Sequence, residues 1–196
     1  KAVRAKSDVI IAMDTSKAEV ADAALAAGAN IINDISSLRA DVEMISILKK
    51  YEDVPIILMH MQGTPRNMQK DPHYNDVIDE LMNFFNERIE FCKSNGISQN
   101  RIIIDPGIGF GKRFEDNLMI LKKIKEFRSF GVPVLLGASR KSFLSKIYDS
   151  KPEERLSGSL ATTALAHANS VGFVRAHDVK EHKQLLQTLD AIRQAK

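Results

Sequence analysis

Apolar residues along the chain gather in six short runs: 9–13, 29–32, 54–59, 101–104, 132–136 and 172–174. The runs are rich in Val and Ile and lack polar alternation, the pattern of strands buried on both faces in a parallel sheet. Helical spacing fills the gaps. Ser16 and Glu19 have the spacing of a capping box, opening a helix that runs to Ala27 and stops at Gly28. From Asn75 to Ser94, a stripe of Ile78, Met82, Phe85, Ile89 and Cys92 predicts a long amphipathic helix that stops at Asn95-Gly96. From Asp116 to Phe130 the plan repeats, with Leu118, Leu121, Ile124 and Phe127 inside and Gly131 as the stop. Pro152 opens a helix over 153–168, and 179–195 forms the last one. Lys1 to Lys6 reads as the end of a helix, so further residues are expected before it. The order is βα repeated six times. It suits an open doubly wound sheet, or a (β/α)8 barrel with two units absent.

Polar residues follow each run: Asp14-Thr15, Asn33-Asp34, His60-Met61-Gln62-Gly63, Asp105-Pro106-Gly107, Gly137-Ala138-Ser139-Arg140-Lys141, and Arg175-Ala176-His177-Asp178. Both α/β architectures bind ligands at the C-terminal edge of their strands, so six polar strand ends point to a site there. Turn and N-cap duty explains Asp34, Ser36 and Asp178. It explains Lys141, Arg175 and His177 poorly, because cations oppose the positive end of a helix dipole. The glycine-rich stretch from Asp105 to Lys112 matches neither a Walker A loop nor GxGxxG. The long polar loop 63–72 is a candidate lid or a solvated connection. His60 is read as either a ligand contact or a locally satisfied buried histidine.

The chain has 196 residues, the size of one domain, with 44% hydrophobic and 27% charged residues. These proportions exclude a disordered or fibrous chain. A net charge of +3 is too mild to indicate nucleic acid. The single Cys92 sits on an apolar stripe, rules out an intramolecular disulfide and suits a reducing compartment. No apolar run approaches the ~20 residues of a membrane span. A soluble, cytoplasmic protein is expected. The histidines have no zinc-site spacing.

Together the motifs resemble dihydropteroate synthases, pterin-binding enzymes of the folate pathway. They are Met13-Asp14-Thr15, Ile32-Asn33-Asp34, Leu58-Met59-His60-Met61-Gln62-Gly63-Thr64-Pro65, Asp105-Pro106-Gly107-Ile108-Gly109-Phe110-Gly111-Lys112, Ser139-Arg140-Lys141-Ser142 and Arg175-Ala176-His177-Asp178-Val179. They span nearly the whole chain in order. The resemblance implies a (β/α)8 TIM barrel, with the last six βα units in this chain and the first two missing. Those two would carry a magnesium-ligand Asn, a pterin-contacting Thr and a mobile loop, so no metal ligand is expected here. Ala18 and Ala176 stand where the family commonly has Pro and Val. The segment from Arg155 to Leu160 falls near the family's dimer interface, which implies a homodimer.

The implied reaction joins 4-aminobenzoate to (7,8-dihydropterin-6-yl)methyl diphosphate, giving 7,8-dihydropteroate and pyrophosphate with Mg2+ as cofactor. Sulfonamide sensitivity follows from the resemblance. Asp105 is expected to accept from the acylguanidine-like edge of the pterin, since a carboxylate accepts two parallel N–H groups. Asp14 and Asn33 would meet the other ring nitrogens, with Met59 and Gly137 lining the pocket and Lys141 donating to the ring carbonyl side. Lys141, Arg175 and His177 are the candidate catalytic residues. Arg175 and His177, two apart on an extended segment, would hold the diphosphate. Phe110 would pack on the aminobenzoate ring and Ser142 would anchor its carboxylate at a helix start. A corrinoid-dependent methyltransferase of the same fold would share the pterin contacts but lack these cations. A non-catalytic pterin-binding domain has only the missing strands in its favour. A generic phosphate-binding barrel leaves Asp14, Asn33 and Asp105 without a purpose.

Overall fold

In the computed structural model, which describes residues 1–195, six parallel strands alternate with six α-helices. The strands are β1 (Ala12–Asp14), β2 (Ile31–Asp34), β3 (Ile56–Met59), β4 (Ile102–Asp105), β5 (Leu135–Leu136) and β6 (Phe173–Val174). The helices are α1 (Ala18–Ala26), α2 (Met44–Lys50), α3 (Val77–Ser94), α4 (Phe114–Lys122), α5 (Leu156–Ala168) and α6 (Val179–Gln194). β1 to β4 pair in chain order, β5 pairs with β6, and a bridge between Ile104 and Val134 joins the two groups. A doubly wound sheet reverses its order at a switch point. This order never reverses, so the array is an arc of a (β/α)8 barrel.

Register decides what each strand presents. Asp14 lies opposite Asn33, Asn33 opposite Ile57, Ile57 opposite Ile103, and Met59 opposite Asp105. In a strand, alternate residues share a face. These residues therefore form the concave face. The other parity, Ile32, Ile56, Leu58, Ile102, Ile104, Val134 and Leu136, joins the helices in the main core with Leu81, Phe85, Phe127 and Ile120.

Several local expectations change. The central strands are buried, but β1 and β6 are the edges, and Val9, Ile10 and Phe173 are exposed. Ser16 forms no capping box: the N-cap position of α1 is Lys17, and the Ala18 amide donates instead to Asp41 Oδ2 at 2.8 Å. α1 does end before Gly28, whose φ is +96°. The 116–130 helix is two pieces, α4 and a 3-10 stretch Ile124–Phe130, ending at left-handed Gly131. Its phase buries Ile120 with Leu121, while Leu118 stays 37% exposed. Likewise Pro152–Glu154 is a 3-10 turn before α5 rather than its first turn. Periodicity does not delimit α2. Residues 1–6 make a single turn, with the Ala5 amide donating to Lys1 O.

Candidate functional site

The C-terminal strand ends surround a cavity of about 730 Å³. Asp14, Met59, Asp105, Phe110, Gly137, Lys141, Arg175 and His177 all line it. The register explains why, since odd positions 59, 105, 137, 175 and 177 continue the concave face. Thr15, Ser16, Lys17, Ile35, Ile108 and Ser139 complete much of the wall. None of these is a site candidate by sequence. Thr15, Ile108 and Ser139 sit inside the family motifs, a signal that could have found them; Ser16, Lys17 and Ile35 carry none.

Asp105 is the buried carboxylate at the centre, 7% exposed. Its Oδ1 accepts from the Gly107 amide at 2.8 Å. Burial pushes its pKa up to about 6, against the opposing pull of that amide, Lys112, Lys141 and Arg175. Asn33 lies just behind the wall: its amide donates to Asp14 Oδ1 at 2.8 Å, and its own Oδ1 is buried with no partner. A buried acceptor without a donor is costly, so a ligand N–H has a place to go.

The cations have distinct settings. Lys141 Nζ sits 4.2 Å from the centroid of the Phe110 ring, and burial lowers its pKa against the pull of Asp105. Arg175 Nη2 donates to Asp14 Oδ2 at 2.7 Å, with 61% and 54% of the two side chains exposed. So open a pair contributes ~1 kcal/mol or less, and Arg175 exchanges it readily for an incoming anion. His177 meets Ser139 Oγ twice, through its amide at 3.2 Å and Nδ1 at 3.1 Å.

Ser142 lies outside the cavity wall and is exposed, at the start of the 3-10 turn Ser142–Lys146 rather than of an α-helix. His60 is a structural histidine. Its Nδ1 lies 3.0 Å from Lys112 Nζ, and its ring packs edge-on against Phe84 at 4.8 Å. Burial and the neighbouring cations hold its pKa near 2, so the neutral ring accepts from Lys112. Lys112 also donates to Phe110 O at 3.1 Å. This buried lysine and Asn117, whose Oδ1 accepts from the Gly109 amide at 2.7 Å, shape the glycine-rich loop. Gly107, at φ +68°, lies against His60: an added Cβ would fall 2.0 Å from His60 O. Loop 63–72 reaches the same place, with Gln69 Nε2 donating to Gly109 O at 2.8 Å. Among the described residues, no group of three or more His, Cys, Asp or Glu side chains is placed to hold a metal ion. The carboxylates lining the cavity are Asp14 at the rim and buried Asp105, too few oxygen donors by themselves to fit magnesium.

Comparison with known proteins places this geometry. The profile of the family described as "Pterin binding enzyme" matches residues 1–177. A dihydropteroate synthase of Synechocystis is 40% identical over 193 residues, covering 98% of this chain and 66% of that protein. The crystal structure of Yersinia pestis dihydropteroate synthase with a sulfonamide drug complex superposes with a TM-score of 0.94 at 38% identity, covering 100% of this chain and 70% of that one. The Xanthomonas albilineans enzyme in complex with 7,8-dihydropteroate gives a TM-score of 0.90 at 36% identity, covering 98% and 70%. The chain thus spans about two thirds of the length of the relatives it matches.

Proposed function

The chain belongs to the family of pterin-binding enzymes, and on that premise we propose that it performs the chemistry of a dihydropteroate synthase. In this reading 4-aminobenzoate displaces pyrophosphate from the dihydropterin diphosphate. The observation that carries it is one cavity holding a buried carboxylate, Asp105, with Lys141, Arg175 and His177 around it. A corrinoid-dependent methyltransferase would leave these cations without a purpose, because no diphosphate departs there.

Asp105 accepts from the adjacent N–H and NH2 of the pterin, which requires its ionised form. The unpartnered Asn33 Oδ1 accepts another ring N–H, and Asp14 shares that edge. Met59 packs on the ring, and Gly137 leaves room beside Asp105, since even an added Cβ there would stand 3.9 Å from its Oδ2. Lys141, held over Phe110, donates to the carbonyl side of the pterin and offsets the Asp105 charge. Arg175 leaves Asp14 for the diphosphate, and His177 stands beside it. Charge grows on the leaving oxygens in the transition state, so cations fixed there stabilise it more than the ground state. Phe110 forms the apolar wall for the aminobenzoate ring. Ser142, exposed beyond the wall, reaches only a carboxylate that projects from the cavity mouth.

The magnesium expected with a diphosphate substrate would take its protein ligand from residues beyond these 196, in two further βα units that complete the barrel. No step here depends on it. Inhibition by sulfonamides, which occupy the aminobenzoate position, belongs to the same proposal. So do pairing of two copies through α5, whose outer face carries Leu165 and Ala161, and a cytoplasmic location. The location rests on the resemblance; among the described residues no helix is long and apolar enough to cross a membrane.

The test is pyrophosphate release by the intact protein with dihydropterin diphosphate, magnesium and 4-aminobenzoate. Release that depends on aminobenzoate and is lost in Lys141→Ala and Arg175→Ala is the expected result. Pterin binding through Asp105 without any release would reduce the protein to a binding module.

A further inference from the structure

The loops after β5 and β6 are joined by four consecutive contacts that the reaction itself does not require. Ser139 Oγ faces the amide and Nδ1 of His177. The next residues pair in turn: Arg140 Nε donates to Asp178 Oδ2 at 3.0 Å, and Arg140 Nη2 donates to Asp178 Oδ1. Asp178 stands at the N-cap position of α6, yet its side chain caps nothing. Its carboxylate is committed across the gap instead.

Arg140 is also fixed from the other side. Its φ is +57°, a left-handed conformation that costs a non-glycine residue ~1 kcal/mol or more. α5 holds it there. The Arg140 amide donates to Ser159 Oγ at 2.9 Å, and its carbonyl accepts from Arg155 Nη1 at 3.0 Å. Ser159 is fully buried and Arg155 nearly so. The left-handed residue separates Ser139 from Lys141, so its conformation sets where the Lys141 side chain leaves the backbone.

We propose that Arg140 and Asp178 form a latch that positions Lys141 and His177 relative to each other, with Ser159 of α5 and Arg155 at the N-cap of α5 as its anchor. Neither Arg140 nor Asp178 lines the cavity, so both act as positioning residues. The inference rests on the reading of Lys141 and His177 as substrate contacts, and its test separates the two. Displacing a reacting group by about 1 Å can cost ~100-fold in rate. A bidentate Arg–carboxylate pair supplies the geometric restraint that a lone ammonium lacks.

The experiment compares Asp178→Asn, Asp178→Glu and Ser159→Ala with the unaltered intact protein. Two readouts are taken: NMR of the His177 amide and ring nitrogens without ligand, and steady-state kinetics. In Asp178→Asn, the His177 Nδ1 and amide signals move toward those of a free imidazole and amide. In parallel kcat/KM for the pterin diphosphate falls ~10- to 100-fold, with melting temperature nearly unchanged. Asp178→Glu recovers part of both, and Ser159→Ala moves the same His177 signals. His177 signals unmoved in Asp178→Asn would overturn the latch. The NMR readout needs no turnover, so an intact latch in a protein without synthase activity would refute the functional reading and leave the latch standing.

Discussion

Asp105 combines two demands that pull against each other. A carboxylate placed in an apolar floor is the right acceptor for a pterin edge, and it is costly to keep ionised there. Its pKa of about 6 lies above the ordinary 3.8, so between about pH 4 and 6 the folded protein binds the proton more tightly than the unfolded chain. Stability from this group therefore falls as pH rises through that window, and the charged site is destabilising at pH 7. Asp105→Asn is expected to raise stability at about pH 7.5 by up to ~3 kcal/mol, measured by urea unfolding, and to weaken pterin binding ~100-fold or more. In the unaltered protein, pterin affinity measured by calorimetry should fall as pH drops below about 6. Gly107 gives a second test at this scale. Gly107→Ala sets a Cβ against the His60 carbonyl at a left-handed φ, and a loss of ~2–4 kcal/mol is expected in thermal or chemical unfolding. Cys92 is buried and its thiol is pushed up to about 11, which agrees with its reading as a small core residue.

Secondary elements show where a periodic pattern misleads. A single stripe over 116–130 implies one continuous helix, and the turn from α4 into a 3-10 stretch changes the phase. Within α4 itself Ile120 is fully buried and Leu118 is 37% exposed, so Ile120→Ala should cost ~2–4 kcal/mol, while Leu118→Ala should stay within ~1 kcal/mol. Equal costs would mean that Leu118 is buried as deeply as Ile120. The false capping box has a related cause. Ser16 and Glu19 have the right spacing, but Ser16 faces the cavity and the first amide of α1 takes its acceptor from Asp41, a residue 23 positions away. Local side-chain spacing cannot compete with an acceptor supplied by the tertiary fold. The α5 contacts carry the opposite lesson. Ser159 and Arg155 look like ordinary helix residues until their bonds to the Arg140 backbone are seen.

For the whole molecule, behaviour in solution turns on what meets the edges of the arc. The segment leading into β1 exposes Val9 and Ile10, β6 exposes Phe173, and unpaired parallel edges invite association. The Arg175–Asp14 contact links the two edge strands across the mouth, but so exposed a pair is too weak to close a barrel. A protein of these 196 residues alone should bind a hydrophobic dye and associate with rising concentration in light scattering. One extended by two further βα units should not. A monodisperse, dye-silent 196-residue protein would refute the proposed completion of the barrel.

The sequence by itself located six apolar runs that become strands, the polar groups that follow them and the motifs of the family, because strand hydrophobicity and strand-end chemistry are written in adjacent residues. It also placed Asp14, Met59, Asp105, Phe110, Gly137, Lys141, Arg175 and His177 in what proved to be one cavity. Only the tertiary structure decided which polar groups face that space and which face one another. Arg175 meets Asp14, Arg140 meets Asp178 and Lys112 meets His60, across 161, 38 and 52 residues. Such pairs depend on the register of parallel strands and on the way each helix returns the chain to the sheet, and no local pattern encodes either. Asn33 and Ser142 show the same limit: strand-end logic chose Asn33, which lies just behind the wall, and helix-start logic chose Ser142, which lies outside it at a 3-10 turn.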